Sequence, residues 1–181
     1  MFQSINPFDK KILNEYPEFT DNELENAMAQ AQAQFETWRK LSYSKRADFF
    51  LNLSNVLRAK KNKLAQLITL EMGKRLSESE LEIEKCALTM EFYAQNAEAF
   101  LNTRKISTES RENYVCFEPL GVILAIMPWN YPLWQVFRFA IPTLMAGNTA
   151  ILKHASNVSG CALEIERLFQ EAEFPPHVFQ T

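Results

Sequence analysis

Two polar residues, Asn130 and Lys153, each follow a short apolar run of the sequence, and both carry groups that could do chemistry. The amide of Asn130 offers two N–H donors on a loop, residues 128–132, that begins and ends with proline. Such donors suit an oxyanion hole, where they must be fixed before the charge develops. The ammonium of Lys153 suits ribose hydroxyls or a phosphate. Asparagine in a loop is more often a turn residue and lysine is more often solvated, so residue types alone leave both roles open.

The elements that must position these two residues alternate between strand and helix. We predict strands over residues 121–127 and 149–152, helices from Pro132 to about Ala146 and over about 158–172, and a third strand that begins at 178–179. The first strand is apolar without alternation, which predicts burial on both of its faces. The order of the elements implies a right-handed parallel unit, and therefore an α/β fold.

The carboxyl ends of parallel strands meet at one edge of a sheet, and ligands bind at that edge. If the first two strands are neighbours, Asn130 and Lys153 face one crevice. The helix predicted to start at Pro132 would add backbone donors and a partial positive charge to this crevice.

The first hundred residues are predicted to be mainly helical after about 20 irregular residues. One helix begins at Thr20, which has capping-box spacing to Glu23. A second helix is predicted over about 44–72, with Gly73 as its C-terminal stop.

A third helix is predicted to open with the same spacing at Ser77 and Glu80 and to end near Leu101. It contains the run SESELEIEK, whose four glutamates predict a solvated face rather than a catalytic pair. The polar residues 102–113 follow, and residues 114–118 are predicted to form a short strand.

The composition excludes several kinds of site. The chain has 181 residues but only 4 glycines, which lie too far apart for a G-x-G-x-x-G motif or a Walker A loop. The 2 histidines and 3 cysteines have no zinc-binding spacing, so no metal site is predicted. The net charge of -3 gives nucleic-acid binding no electrostatic help.

The sequence also argues against a membrane protein. The longest unbroken apolar run, residues 119–129, is much shorter than the roughly 20 residues of a membrane-spanning helix. No apolar stretch near the N-terminus is long enough for a signal peptide. An odd number of scattered cysteines fits a reducing compartment, so a cytoplasmic location is expected.

The loop and the second strand together form a specific motif. The segment Ile126-Met-Pro-Trp-Asn-Tyr-Pro-Leu133 is followed by Ala146-Gly-Asn-Thr-Ala-Ile-Leu-Lys153. This constellation resembles the aldehyde dehydrogenase superfamily, and the sequence from Met127 to Arg138 is closest to the succinate-semialdehyde dehydrogenase branch. The resemblance covers nearly the whole chain and implies the beginning of a Rossmann-like cofactor domain, truncated at the start of its third strand.

The same resemblance divides the chain into three parts. Residues 1–101 would be the N-terminal helical part of the cofactor domain, and residues 102–118 would form part of the oligomerisation arm. Residues 119–181 would supply the first strands and helices of the parallel NAD(P)-binding sheet. A homo-oligomer is therefore expected for the full-length enzyme.

The resemblance implies roles for individual residues at the cofactor. Asn130 matches the side-chain donor that stabilises the thiohemiacetal oxyanion. Met127, Pro128 and Trp129 match the loop that lines the nicotinamide-ribose path. Lys153 matches the lysine that bonds the adenosine ribose or its 2′-phosphate, and Ala155 and Ser156 belong to the same cofactor-binding segment. The family often has a glutamate where this chain has the neutral Ser156, so a 2′-phosphate is not repelled there and the cofactor is NAD or NADP.

The substrate residues implied by the resemblance follow the loop. Arg138 stands where related succinate-semialdehyde enzymes place an arginine for the substrate carboxylate, and a guanidinium suits that bidentate contact. A helix-surface salt bridge is an equally weighted interpretation of Arg138. Tyr131 and Gln135 would line the aldehyde tunnel, although Tyr131 fits the core equally well. The expected substrate is a small aldehyde, with succinate semialdehyde favoured.

The resemblance also implies that the chain alone is inactive. In the family, the nucleophilic cysteine and the general-base glutamate lie beyond the point matched by Thr181. Cys86 and Cys161 fall on helix stripes and Cys116 falls in a strand, so none can replace the nucleophile. We therefore expect the N-terminal portion of an aldehyde dehydrogenase. The alternatives are a non-catalytic binding or assembly module, and an α/β domain whose proline-framed loop is only structural.

Overall fold

Four helices preceded by a hairpin form the first part of the molecule. The computed structural model describes residues 1–109 and 112–181. The helices are α1 (Asp21–Trp38), α2 (Tyr43–Ala59), α3 (Lys61–Met72) and α4 (Leu76–Leu101). Before them, β1 (Phe2–Ile5) and β2 (Ile12–Tyr16) pair antiparallel, so the prediction of an irregular N-terminus is wrong. Both strands are largely exposed and lack the alternation of a half-buried strand.

A three-stranded parallel sheet forms the second part, and the predicted α/β fold is confirmed. Its strands, in spatial order, are β5 (Val122–Met127), β6 (Thr149–His154) and β7 (Phe179–Gln180). The crossover helices are α5 (Trp134–Met145) and α6 (Ser159–Glu171), and a 3-10 turn (Ser156–Val158) precedes α6. Two very short strands, β3 (Arg104–Lys105) and β4 (Tyr114–Val115), pair antiparallel ahead of the sheet.

Only one of the two predicted capping boxes forms at a helix start. At the start of α1, Thr20 and Glu23 form the predicted capping box, with the Glu23 N–H donating to Thr20 Oγ1 at 3.3 Å. The capping box predicted at Ser77 does not form. Helix α4 begins at Leu76 after Arg75, whose side chain makes no capping bond, so Ser77 already lies in the first turn.

The single helix predicted over 44–72 is two helices. The chain leaves helical geometry at Lys60, which has φ −98° and ψ 7°. From this break the Lys60 ammonium pairs with Glu171 on α6. The interruption therefore connects the helical layer, which consists of α1 to α4, to a crossover helix of the sheet.

One face of β5 is open, contrary to the prediction that the strand is buried on both faces. Leu124 is 63% exposed and Ile126 is 70% exposed, whereas Ala125 between them is buried. Helix α1 reaches the amino-terminal end of the sheet, where Thr149 Oγ1 donates to the Ala31 carbonyl at 3.1 Å. The carboxyl-terminal half of the same face has no such cover within the described residues.

The segment 102–118 forms less regular structure than predicted. The strand expected over 114–118 is limited to Tyr114–Val115, which pairs with Arg104–Lys105. Residues 110–111 of this segment lie outside the described residues. Its role in an oligomerisation arm stays a prediction, as do the boundaries at residues 101 and 118.

A continuous apolar core joins the helices to the sheet. It extends from Trp38 through Leu57 and Met90 to Phe137 and Phe179. Buried polar contacts cross the same boundary, since the Trp38 indole N–H donates to the carbonyl of Leu144 at 2.9 Å. Across residues 1–109 and 112–181, none of the helices is long and apolar enough to cross a membrane.

Candidate functional site

The ends of β5 and β6 bring the two chemistry-bearing residues to one edge of the sheet. The strands are parallel neighbours, and their register pairs Ile126 with Lys153 and Met127 with His154. The loop that carries Asn130 therefore leaves the sheet beside the segment that follows Lys153. Both side chains are exposed, as is Ser156. The common edge expected from the sequence is therefore present, and a crevice shared by the two side chains stays a prediction.

The remaining loop residues are also open to solvent. Trp129 is 50% exposed and Tyr131 is 47% exposed, so Tyr131 is not a core residue. Pro128 is exposed, whereas Met127 is half-buried at the end of β5. Ala155, on the neighbouring strand's exit, is half-buried.

The backbone donors that the sequence assigns to this crevice are already occupied. Helix α5 begins at Trp134 rather than at Pro132, because Leu133 takes the capping position. The N–H groups of Leu133 and Trp134 both donate to Glu82 Oε1, each at 2.9 Å. The predicted contribution of this helix start to an anion site is therefore wrong.

Glu82 lies in the run SESELEIEK, whose glutamates were all predicted to be solvated. It is 3% exposed and its other carboxylate oxygen pairs with the ammonium of Lys74, which is also buried. A carboxylate near a helix N-terminus is favoured by the helix dipole and by the free N–H groups. The sequence does contain a signal for this residue, because Glu82 lies on the same apolar stripe of the helix as Ile83 and Cys86.

Helix α6 has the same arrangement at its start. The N–H of Gly160 donates to Glu71 Oε1 at 2.9 Å, and the N–H of Cys161 donates to Glu71 Oε2 at 2.8 Å. Glu71 is buried at the end of α3. Two glutamates of the helical layer thus cap both crossover helices, and they occupy donors that could otherwise meet a phosphate.

His154, the last residue of β6, contacts both segments that leave the carboxyl end of the sheet. Its Nε2 lies 2.9 Å from the carbonyl oxygen of Pro132, and its Nδ1 accepts the N–H of Ala155 at 2.8 Å. Burial lowers the pKa of this imidazole, although its bond to Pro132 acts in the opposite direction. Sequence reasoning gave His154 no role, because a lone histidine carries no positional signal.

Two lysine side chains contact aromatic rings in and just after the 128–132 loop. The Lys74 ammonium lies 3.6 Å from the ring centroid of Tyr131, and the Lys85 ammonium lies 4.0 Å from that of Trp134. Such contacts over an aromatic face are attractive.

One turn after Trp134, Arg138 is exposed, and no ion pair found in residues 1–109 and 112–181 includes it. The salt-bridge interpretation of Arg138 thus has no partner there, and Gln135 beside it is half-buried.

Two of the three cysteines lie inside the core. Cys86 and Cys161 are buried, and burial raises the pKa of both thiols. Cys116 is exposed and directly follows the short strand β4. Over the described ranges, no group of three or more His, Cys, Asp or Glu residues could hold a metal ion.

The family model described as the aldehyde dehydrogenase family matches residues 1–181. The chain belongs to this family. Among curated members, it is 42% identical over 183 residues to succinate-semialdehyde dehydrogenase (NADP+) 1 of Mycobacterium tuberculosis H37Rv, covering 98% of this chain and 40% of that protein. It is 40% identical over 176 residues to succinate semialdehyde dehydrogenase (NAD(P)+) of Escherichia coli K12, covering 97% and 38%.

Solved structures of family members share the fold. The succinic semialdehyde dehydrogenase of Streptococcus pyogenes, in complex with NADP+, superimposes with a TM-score of 0.96 at 31% identity, over 99% of this chain and 40% of that one. The succinate-semialdehyde dehydrogenase of Burkholderia pseudomallei gives 0.93 at 28% identity, over 99% and 38%. The chain thus spans about 40% of the length of these relatives, and it corresponds to their N-terminal part.

Proposed function

We propose that this chain is the N-terminal part of an NAD(P)-dependent succinate-semialdehyde dehydrogenase. The observation that carries the proposal is the parallel register of β5 and β6, which leaves Asn130 and Lys153 at one edge of the sheet. The similarity to succinate-semialdehyde dehydrogenases along almost the whole chain supports the same function. The complete enzyme would oxidise an aldehyde to a carboxylate.

In this function Asn130 is the catalytic residue of the chain. Its amide N–H groups would donate to the oxygen of the aldehyde as negative charge develops on it. The helix start nearby cannot share this task, because Glu82 occupies the N–H groups of Leu133 and Trp134. Electrostatic stabilisation from a single fixed donor contributes about 3–4 kcal/mol in comparable sites, so Asn130 would be a major contributor.

The edge also fits a nicotinamide dinucleotide, which would accept the hydride when bound. Lys153 is exposed, and none of the ion pairs in the part of the chain that the structure describes involves it, so its ammonium is available to ribose hydroxyls or a phosphate. Ser156, exposed and neutral, would accept either NAD or NADP. Met127, Pro128, Trp129 and Ala155 would line the path of the cofactor.

Succinate semialdehyde carries a carboxylate, and Arg138 is proposed to bind it. The exposed guanidinium lies one turn along α5 from Trp134, on the helix that the Asn130 loop enters. Lys85 above Trp134 adds a second positive charge to this side of the loop. Tyr131 and Gln135 would border the same aldehyde path.

We also propose that the 181-residue chain alone has no dehydrogenase activity. The reaction needs a thiolate, and the two buried thiols are held protonated by burial, which raises their pKa. The exposed Cys116 follows β4 and precedes β5, so it is not in either of the segments that leave the carboxyl ends of β5 and β6. Assay of the purified chain with succinate semialdehyde and NADP+ or NAD+ should therefore show no formation of the reduced cofactor.

Cofactor binding by the chain is a separate test. Calorimetric titration with NADP+ should show weaker binding by Lys153→Ala than by the unchanged chain, by about fivefold or more for one lost charge contact. Lys40→Ala is the matched control, because Lys40 is also an exposed lysine. Its neighbour Arg39 lies near Gly147, before the start of β6, whereas Lys153 is near the end of that strand. Equal affinities for the unchanged chain and Lys153→Ala would contradict the cofactor role.

A non-catalytic assembly module is the second candidate. The exposed apolar side chains Leu124 and Ile126 favour it, because contiguous apolar surface promotes association. Light scattering of the chain and of a Leu124→Ser/Ile126→Ser variant, combined with the NADP+ titration, separates the candidates. Self-association through this face without any NADP+ binding would favour the assembly module.

A further inference from the structure

The contacts of His154 fix the position of the proton on its ring. The Ala155 N–H can only donate, so Nδ1 must accept with an unprotonated lone pair. The ring is therefore neutral and carries its hydrogen on Nε2. That N–H donates to the carbonyl oxygen of Pro132, 2.9 Å away. One imidazole thus closes a bridge between the end of β6 and the end of the Asn130 loop.

We infer that His154 is a positioning residue, which holds the 128–132 loop, and Asn130 within it, against the carboxyl end of β6. The bridge joins the two segments that leave the sheet at the candidate site, since Pro132 lies two residues after Asn130 and Ala155 lies two residues after Lys153. A side chain that forms both bonds keeps the distance between these segments constant. The role of His154 in catalysis rests on the proposed function, whereas its two hydrogen bonds do not depend on that function.

The bridge responds to protonation in a defined way. A proton added to Nδ1 would point at the N–H of Ala155, so two donors would meet and that bond would be lost. Burial disfavours the charged ring, as does the neighbouring Lys153, whereas Glu71 from α3 and the backbone carbonyls of Pro132 and Met127 favour it. The burial effect is the largest, and the pKa of His154 lies below its ordinary value. The bond from Ala155 should therefore persist at neutral pH and be lost only in more acidic solution, whereas the Nε2–H group can still donate to Pro132.

The ring state can be measured directly on this chain. The chain has only two histidines, and His177→Asn leaves His154 alone for nitrogen NMR of the imidazole. We expect the Nε2–H tautomer at pH 7.5 and a titration midpoint below the usual value of about 6.5. His177 is the control within the unchanged chain, since it is half-buried and its Nδ1 contacts the Gln180 side chain at 3.3 Å. An Nδ1–H tautomer, or a charged His154 at pH 7.5, would overturn the inference.

The effect on the loop requires a second readout. Labelling with 5-fluorotryptophan gives one fluorine resonance for each of Trp38, Trp129 and Trp134. Trp38 is buried and bonded to Leu144, so its resonance reports that the core is intact. His154→Leu removes both bonds and should shift or broaden the Trp129 resonance, whereas Trp38 should stay unchanged.

Partial replacements distinguish the positioning role from a general packing role. His154→Gln keeps an N–H donor that can reach Pro132, and it should restore the Trp129 resonance more fully than His154→Leu does. In the unchanged chain the Trp129 resonance should move with the titration of His154, and this pH dependence should vanish in both variants. A Trp129 resonance that is identical in all three proteins and independent of pH would refute the positioning role. These measurements use no enzymatic activity, so their failure is distinct from failure of the proposed dehydrogenase.

Discussion

The carboxylate of Glu82 on α4 accepts the backbone N–H of Leu133 at 2.9 Å, directly after the Asn130 loop. The same oxygen accepts the N–H of Trp134, and the other oxygen pairs with Lys74. The end of the loop is consequently fixed by the helical layer, and the positive end of the α5 dipole is already compensated. Among the donors considered for the crevice, the Asn130 amide is thus left to meet an oxyanion.

Glu82→Gln should destabilise the chain by about 3–5 kcal/mol, because it leaves the buried Lys74 ammonium without its counter-charge. Urea denaturation at pH 7 measures the loss. Glu78→Gln is the matched control, since Glu78 is exposed in the first turn of the same helix and should cost less than about 0.5 kcal/mol. A double variant, Glu82→Gln/Lys74→Met, should recover part of the loss. Equal stability of Glu82→Gln and Glu78→Gln would contradict the importance of the buried pair.

Local sequence predicts those parts of the fold whose causes are local. The capping box of Thr20 and Glu23 needs only neighbouring residues, and it forms as predicted. The apolar run before Asn130 identifies β5 as a strand within one residue. Its exposed face was not predicted, because burial depends on which element packs against a strand, and composition does not encode that. The break at Lys60 was missed for the same reason, since its ammonium pairs with Glu171 far along the chain.

The candidate site was predictable to the extent that strand order determines it. Parallel neighbours necessarily bring Asn130 and Lys153 to one edge, and the motif made this order expected. The residues that hold this edge together come from elsewhere in the sequence. Glu82 is 51 residues from Leu133, and Glu71 is 89 residues from Gly160. The place of Glu82 on the apolar stripe of α4 indicates burial, but nothing in the local sequence indicates which distant helix it caps.

Gly160→Ala should destabilise the chain, although alanine normally favours a helix over glycine. An added Cβ would lie 2.7 Å from Glu71 Oε1 and 2.9 Å from the hydroxyl of Tyr16. We expect a loss of about 1–3 kcal/mol in urea denaturation, as for other overpacked sites. In a Glu71→Ala background the carboxylate is gone, so the same substitution should cost less. A cost that is undiminished in that background would show that Glu71 is not the obstacle.

Glu164 and Glu166, both on α6, should respond oppositely to pH. Burial raises the pKa of Glu166, so its charged form opposes folding, and Glu166→Gln should stabilise the chain at pH 7. This gain should shrink as the pH falls through the raised folded pKa, and it should vanish below the unfolded value of 4.5, where the carboxyl becomes protonated in both states.

At Glu164, burial acts to raise the pKa, but contacts with Lys63, Arg167 and Lys60 outweigh it and the pKa is lowered. The contribution of Glu164 is therefore present above its unfolded pKa and is lost as the pH falls through the lower folded value. Glu164→Gln should accordingly destabilise the chain at pH 7, with a deficit that disappears in acid. Thermal unfolding of both variants between about pH 3 and 7 checks the two signs. Differences in stability from the unchanged chain that vary with pH in the same direction for both variants would contradict this assignment.

Ser156→Glu should shift the cofactor preference of the chain from NADP+ towards NAD+. The exposed Ser156 begins the 3-10 turn that follows β6, three residues after Lys153, so a carboxylate there would approach the 2′-phosphate that Lys153 is proposed to contact. Two like charges near a surface repel by about 1 kcal/mol or more, which corresponds to roughly a fivefold or greater loss of NADP+ affinity. NAD+ has no 2′-phosphate, and a glutamate can accept its ribose hydroxyls, so NAD+ binding should be unchanged or tighter. Gln170→Glu adds the same charge near the far end of α6 and should leave the ratio of the two affinities unaltered. Parallel calorimetric titrations with both cofactors measure this ratio, and an equal loss for NADP+ and NAD+ in Ser156→Glu would mean that the 2′-phosphate does not bind beside Ser156.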